Sequence, residues 1–268
     1  MDTYEFARQI RILALKSVYS AGCGHITSAL SCADIIAVLY NEKMDYDPSF
    51  PDYPDRDRLV LSKGHACPAL YAALALKGFF DVAELDNLRD ISGFLEGMPS
   101  MVLTPGVDMS SGSLGMGVSS AAGMALAARI NKRDYNVYAI VGDGEINEGQ
   151  IWESFLFAAH NKLDNLCVFI DKNGLQLSGR TDDILNTSPL ADKLLSFGAK
   201  ALEIDGNDIS EIQNALSDFD EEKERFTVII ANTLKGKGVS FMEDSPLWHG
   251  RVPDENEYIK ALDELERR

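Results

Sequence analysis

The chain has 268 residues, 46% of them hydrophobic and 25% charged, and carries a formal net charge of −17. That balance is globular, and the length gives ample core for one or two domains. The acidity argues against nucleic acid or an anionic membrane as partner, so any phosphorylated ligand must be met by a metal, helix amino ends and local donors.

Residues 3–20 have helical spacing, with Phe6, Ile10, Leu13 and Val18 on one side, and Ala21-Gly22-Cys23-Gly24 is a stop. After Gly24-His25-Ile26-Thr27-Ser28 the spacing predicts a helix from about Ser31 to Tyr40, with Ala33, Ile36, Ala37 and Tyr40 facing in. Residues 44–58 are rich in Asp and Pro and read as loop. Arg58–Ser62 is a strand that runs into Lys63-Gly64-His65-Ala66, followed by a helix from Cys67 to Lys77. A histidine at such a strand–helix junction is well placed to meet a ligand. On its residues alone, His25 reads equally well as a loop histidine bonded to backbone.

Residues 78–103 are less regular. The stretch from Thr104 to Gly117 is a glycine-rich loop opening a small-residue helix, Val118 to Ile130. A glycine loop before a helix amino end is a ready anion site. Gly115-x-Gly117 also permits a dinucleotide fingerprint, but a preceding strand and a later acidic residue are missing, and there is no Walker lysine.

The stretch from Val137 to Leu177 is the most informative. Val137–Val141 is a buried-type strand that stops at Gly142-Asp143-Gly144. From Gln150 the period becomes helical, with Trp152, Phe155, Leu156 and Ala159 on one face. Leu166–Ile170 is a second strand, ending at Asp171-Lys172-Asn173-Gly174. A β-α-β unit puts both turns at the carboxyl edge of a parallel sheet, so Asp143 and Asn173 should stand close together. A carboxylate, an amide and nearby carbonyls make a hard-oxygen site suited to Mg²⁺ or Ca²⁺ carrying a phosphorylated ligand. Beyond a polar excursion at 175–187, a helix is expected at 189–197, a strand at 201–204, a helix at 209–219, a strand at 226–231 and a closing helix at 255–267. This alternation predicts an α/β fold, a doubly wound, mainly parallel sheet with helices on both faces. Lys235-Gly236-Lys237-Gly238 and Trp248-His249-Gly250 lie between the last strand and the last helix; read blind, they are a flexible basic loop and a docked loop.

The four cysteines (Cys23, Cys32, Cys67, Cys167) form no CxxC pair, and Cys23 beside His25 has too few companions for zinc. The opening residues lack the pattern of a secretory leader, and no apolar run is long enough for a bilayer. A reduced, cytoplasmic protein is expected.

GDG, a spacer of 28 residues (145–172) and then Asn173 resembles the thiamine diphosphate motif. The fuller texts are similar to transketolase, above all to the N-terminal half of a split, two-gene transketolase. They are R-x-V-L-S-K-G-H-A at 58–66, P-G-V-x-x-x-x-G-S-L-G-x-G at 105–117, GDG-E-x-x-E-G-Q-x-W-E from 142, D-x-N-G-L-Q from 171, and T-x-K-G-x-G-V-S-x-M-E-x-x-x-x-W-H-G at 233–250. The resemblance implies one thiamine diphosphate-type diphosphate-binding domain over 1–268, binding thiamine diphosphate and Mg²⁺ (or Ca²⁺). It implies metal ligation by Asp143, Asn173 and the Leu175 carbonyl. It implies cofactor contacts at His65, Gly115, Met116, Gly117, Gly142, Asp143, Gly144, Glu145, Asn173, Lys235 and His249. His25, His65 and His249 would serve catalysis, and Glu148 would join a carboxylate network across a dimer, although on its residues alone Glu148 is a solvated helix opener. The activity implied is ketol transfer between sugar phosphates, with a C-terminal subunit supplying pyrimidine-binding and C-terminal domains in an α2β2 heterotetramer.

Two departures bear on this. Gly97-Met98-Pro99 stands where the family has Gly-His-Pro, and a thioether cannot replace the hydrogen bonding of a histidine that contacts donor hydroxyls. An altered donor is therefore expected. The chain also stops where an intact transketolase begins its pyrimidine-binding domain, so no turnover is expected from it alone. A half of a related enzyme with a pyruvate-type donor, or a non-catalytic binding partner, are the alternatives.

Overall fold

The computed structural model describes residues 1–177 and 179–267. Helix α1 (Thr3–Ala21) is capped by the Asp2 carboxylate and ends at left-handed Gly22. Two short helices follow, α2 (Ile26–Ser31) and α3 (Ala33–Val38), then a wider turn over Leu39–Lys43. The expected single helix from Ser31 thus begins earlier, directly after His25, and is interrupted at Cys32. Strand β1 (Arg58–Leu61) leads through a tight turn at Gly64–Ala66 into α4 (Cys67–Leu76).

Helix α5 (Met116–Ile130) follows the glycine loop. The central unit is β2 (Val137–Gly142), α6 (Gly149–His160) and β3 (Leu166–Lys172). The polar excursion is a small antiparallel hairpin of β4 (Leu175–Gln176) and β5 (Gly179–Arg180), then α7 (Thr181–Leu185). The remainder is α8 (Leu190–Ser196), β6 (Lys200–Asp205), α9 (Ile209–Glu221), β7 (Thr227–Asn232) and α10 (Glu255–Glu266), which opens with a capping box of Asp254 and Glu257.

The main sheet has five parallel strands in the order β1-β2-β3-β7-β6. Alternation along each strand divides the core in two. Leu59, Leu61, Tyr138, Ile140, Phe169 and Ile229 face a layer built by α1 to α4, α9 and α10. Val60, Val137, Ala139, Val168 and Val228 face α5, α6 and α8. Helices on both faces explain why β2 and β3 are apolar without alternation. The α6 face differs from expectation: Ile151, Phe155 and Ala158 are buried, while Leu156 and Phe157 are exposed at 58% and 44%. Apolar residues nearly encircle this helix, so its periodicity could not single out a face.

No helix among the described residues is long and apolar enough to cross a membrane, and all four cysteines are free thiols.

Candidate active site

Parallel strands joined by crossovers bring the ends of β1, β2, β3 and β7 to one edge of the sheet. A cavity of about 340 Å³ opens there. In its wall stand the Gly142-Asp143-Gly144 turn, Asn173 and Leu175 from the next turn, His65 after β1, His25 before α2, and Lys235 and His249 from the segment after β7. Three hydrogen bonds fasten these segments together. The Asp143 amide donates to the Asp171 carbonyl, Thr27 Oγ1 to the Trp248 carbonyl, and the Gly236 amide to the Thr27 carbonyl. The last two tie α2 to both halves of the 233–250 segment.

Asp143 and Asn173 meet as their strand ends require. Asp143 Oδ2 accepts the Gly174 amide at 2.6 Å and Oδ1 the Gly144 amide at 2.9 Å. Asn173 Oδ1 accepts the Leu175 amide at 3.2 Å, and the Leu175 carbonyl accepts from Lys235 Nζ at 3.3 Å. Burial and then the nearby Asp171 carboxylate push the Asp143 pKa up to about 6. A buried carboxylate held above its ordinary range is one that a cation would relieve. The donor set is a carboxylate, an amide oxygen and a backbone carbonyl, which fits Mg²⁺ completed by phosphate oxygens and water. Among the described residues no group of three or more His, Cys, Asp and Glu could hold a metal unaided.

Three histidines form a triangle above this floor, with ring centroids 5.2 Å apart for His25 and His249, 5.3 Å for His25 and His65, and 5.6 Å for His65 and His249. Burial, then nearby cations, lower all three pKa values: His65 to about 2, His249 to about 4, and His25 in the same direction. They are neutral at pH 7. Lys235 Nζ lies 3.0 Å from His249 Nδ1, and an ammonium only donates, so the neutral ring carries its proton on Nε2. Burial, then the charge of Lys63, lowers Lys235 to about 8. The cavity thus offers neutral rings and the buried Lys235 ammonium to an anionic ligand, in a chain that is acidic overall.

The other expected residues fall in different places. Glu145 reaches the cavity wall, but its carboxylate is engaged, taking Ser62 Oγ at 2.5 Å, the Gly115 amide at 2.8 Å and the Gly142 amide at 3.1 Å. It clamps the glycine loop to the ends of β1 and β2. Gly115, Met116 and Gly117 open α5 outside the cavity wall, where Gly115 adopts φ +84°, a left-handed conformation natural to glycine. Glu148 is exposed at the start of α6, with its side chain against Gly115 rather than in the cavity. Met98 does line the cavity, with Leu114 and Leu177.

Ser28, Lys63 and Gln176 also line it and were not anticipated. Ser28 lies one turn beyond His25 on α2, and placing that helix correctly would have found it.

Residues 3–265 match the family described as "Transketolase, thiamine diphosphate binding domain". The chain is 43% identical over 267 residues to the 6-deoxy-6-sulfo-D-fructose transketolase subunit SqwG of Clostridium sp. (strain MSTE9), covering all of this chain and 97% of that relative. It is 39% identical to an apulose-4-phosphate transketolase subunit of Phocaeicola vulgatus, covering 94% of this chain and 89% of the relative. Human transketolase is 40% identical across 97% of this chain, which spans only 41% of the human protein. Among solved structures, transketolase from Campylobacter jejuni superposes with a TM-score of 0.93 at 32% identity, over 99% of this chain and 43% of the other.

Proposed function

From the fact that the chain belongs to the transketolase family, through its thiamine diphosphate-binding domain, we propose that it is the diphosphate- and metal-binding subunit of a two-component transketolase. It transfers a two-carbon ketol unit between sugar phosphates or related sugars. The observation that carries this reading is the Asp143, Asn173 and Leu175 oxygen set in one cavity with His25, His65 and His249. In this reading the chain forms one diphosphate-binding domain.

When bound, thiamine diphosphate supplies a carbon nucleophile that receives the two-carbon unit and delocalises its electrons. The chain's residues hold and orient. Asp143, Asn173 and the Leu175 carbonyl would hold Mg²⁺, and Gly142, Gly144 and Lys235 the diphosphate end. Lys235 also fixes His249 with Nε2–H as donor, and neutral His25 and His65 can each accept or donate a hydrogen bond to a substrate hydroxyl. Gly115, Met116 and Gly117 would meet the cofactor's far ring, and Glu148 would meet the assembled partner. Both lie outside the cavity, in keeping with a site that a second subunit completes.

Two comparisons support the split. The chain spans 97% and 89% of relatives that are named as subunits, yet about two fifths of full-length transketolases. The missing part would be a C-terminal subunit, the two forming an α2β2 heterotetramer. A cytoplasmic location accords with four free thiols. Met98 in the cavity wall, and relatives whose names specify a sulfo-sugar and apulose-4-phosphate, favour a donor other than the common ketose phosphates.

The test is ketol transfer by the purified chain, alone and mixed with the pyrimidine-domain protein of the same organism, across a donor panel. Turnover is expected only from the mixture. Turnover by the chain alone would overturn the split reading, and none from the mixture with any sugar donor would overturn the activity.

A further inference from the structure

The floor of the cavity rests on a buried ion pair. The Lys63 ammonium, just past β1, donates to Oδ2 of Asp171 at the end of β3. Both residues are closed to solvent, at 1% and 0% exposure. Lys63 also donates to the Ser28 carbonyl at 3.1 Å. Asp171 Oδ2 takes Ser31 Oγ at 2.6 Å, and Oδ1 takes the Thr233 hydroxyl. The remaining neighbour is the amide nitrogen of Asn173, 3.3 Å from Oδ2.

A buried ion pair ordinarily stabilises no better than a well-packed apolar pair. Its cost here has a use in the Asn173 amide. The two ends of an asparagine side chain have nearly the same shape, and their partners decide which way they point. An ionised carboxylate only accepts. It draws Nδ2 of Asn173 toward Asp171 and turns Oδ1 the other way, toward the turn at Gly174 and Leu175 that wraps Asp143. Lys63 donates to the same Asp171 oxygen, so that oxygen stands as an acceptor toward Nδ2.

We propose that Lys63 and Asp171 are positioning residues for the metal site: together they hold the Asn173 amide with its oxygen turned toward the Gly174–Leu175 turn before any metal arrives. The inference rests on reading Asp143, Asn173 and Leu175 as the metal set. Asp171→Asn keeps the shape but presents both a donor and an acceptor, so the orientation of the Asn173 amide is then held by the Leu175 amide alone. Lys63→Met keeps the stem and removes the charge.

Mn²⁺ binding to the two-subunit protein with saturating thiamine diphosphate, read by electron paramagnetic resonance, tests this without turnover. Each variant should weaken Mn²⁺ binding by about 10–100-fold, the usual effect of losing a partner that orients a metal ligand. Thiamine diphosphate affinity in the absence of metal should stay near the parent's. The double variant should be no weaker than the worse single, because both act through one amide. Thr233→Val, which frees one carboxylate oxygen and leaves the charges intact, is the mild variant for the case where the others do not fold. It should cost about threefold, as one hydrogen bond does. Any folded Asp171 or Lys63 variant with parental Mn²⁺ affinity would overturn the proposal, as would parental affinity in Thr233→Val should those two not fold. A parent that binds no Mn²⁺ would overturn the metal reading itself, and the proposal with it.

Discussion

Substituting alanine at two glycines of α5 should move stability in opposite directions. An alanine Cβ at Gly117 would press on Ser62 Oγ and lie 2.5 Å from its Cβ and 2.7 Å from its Cα. The last contact is with backbone at the end of β1, so no rotamer change relieves it. Helix and strand must part by most of an ångström, and overpacking of that kind costs about 1–3 kcal/mol. The shift also pulls Ser62 Oγ from the buried Glu145 carboxylate, 2.5 Å away. Leaving such a group short of a donor costs about 1–3 kcal/mol more. The helical preference of alanine over glycine returns about 1 kcal/mol. The net expectation for Gly117→Ala is a loss of about 3 kcal/mol. At Gly123, six residues on, nothing lies within 4 Å of the new methyl, so Gly123→Ala should gain about 0.5–1 kcal/mol. Urea unfolding of the cofactor-free chain measures both. A Gly117→Ala protein as stable as its parent, or a Gly123→Ala protein less stable, would refute the reasoning that α5 is seated on Ser62.

Three further outcomes follow from the site. Asp143→Asn should raise the melting temperature of the metal-free chain above pH 7 while abolishing the stabilisation given by Mg²⁺ with thiamine diphosphate. A folded-state pKa raised to about 6, by burial and then by Asp171, means that stability is lost as pH rises from the ordinary carboxylate range to about 6 and stays lost above it, by up to about 3 kcal/mol. A melting temperature that falls would count against it. His65, with its pKa lowered to about 2 by burial and then by Lys63, contributes stability that is fully present above 6.5 and is lost as pH falls below it. The advantage of the parent over His65→Asn should therefore shrink steadily from about pH 7.5 to about pH 4.5, and an advantage independent of pH would show that the ring is not held neutral. Met98→His, measured in the two-subunit enzyme, should lower KM for common ketose phosphate donors; an unchanged donor profile would remove Met98 from donor choice.

Much of the site was legible because its strands end in residues that carry both the turn and the chemistry. Gly142-Asp143-Gly144 and Asn173-Gly174 stop their strands where a parallel sheet collects its ligands. His65 was legible for the same reason. Ser28 was not, because Thr27 and Ser28 are weak helix formers and hide the helix that begins at Ile26. Lys63 and Asp171 were not, because nothing local says that a lysine after one strand will face an aspartate after another across a buried floor. Glu145 belongs to the neighbourhood the sequence assigns it, but its carboxylate serves the backbone of the loop.

The sequence by itself determined the sheet strands and the longer helices, the two-faced burial of β2 and β3, and the oxygen donors that stand at their ends, since these follow from local periodicity and turn chemistry. Tertiary structure decided the order β1-β2-β3-β7-β6, in which β7 pairs with β3 although more than fifty residues separate them. That pairing carries Lys235 and His249 to the same edge as Asp143, while α1 to α3, packed on the other layer, bring His25 to meet them. The physical reason is that a strand's neighbours are chosen by which helices can share a core across the sheet. That choice is a sum over distant side chains, and no single stretch of the chain contains it.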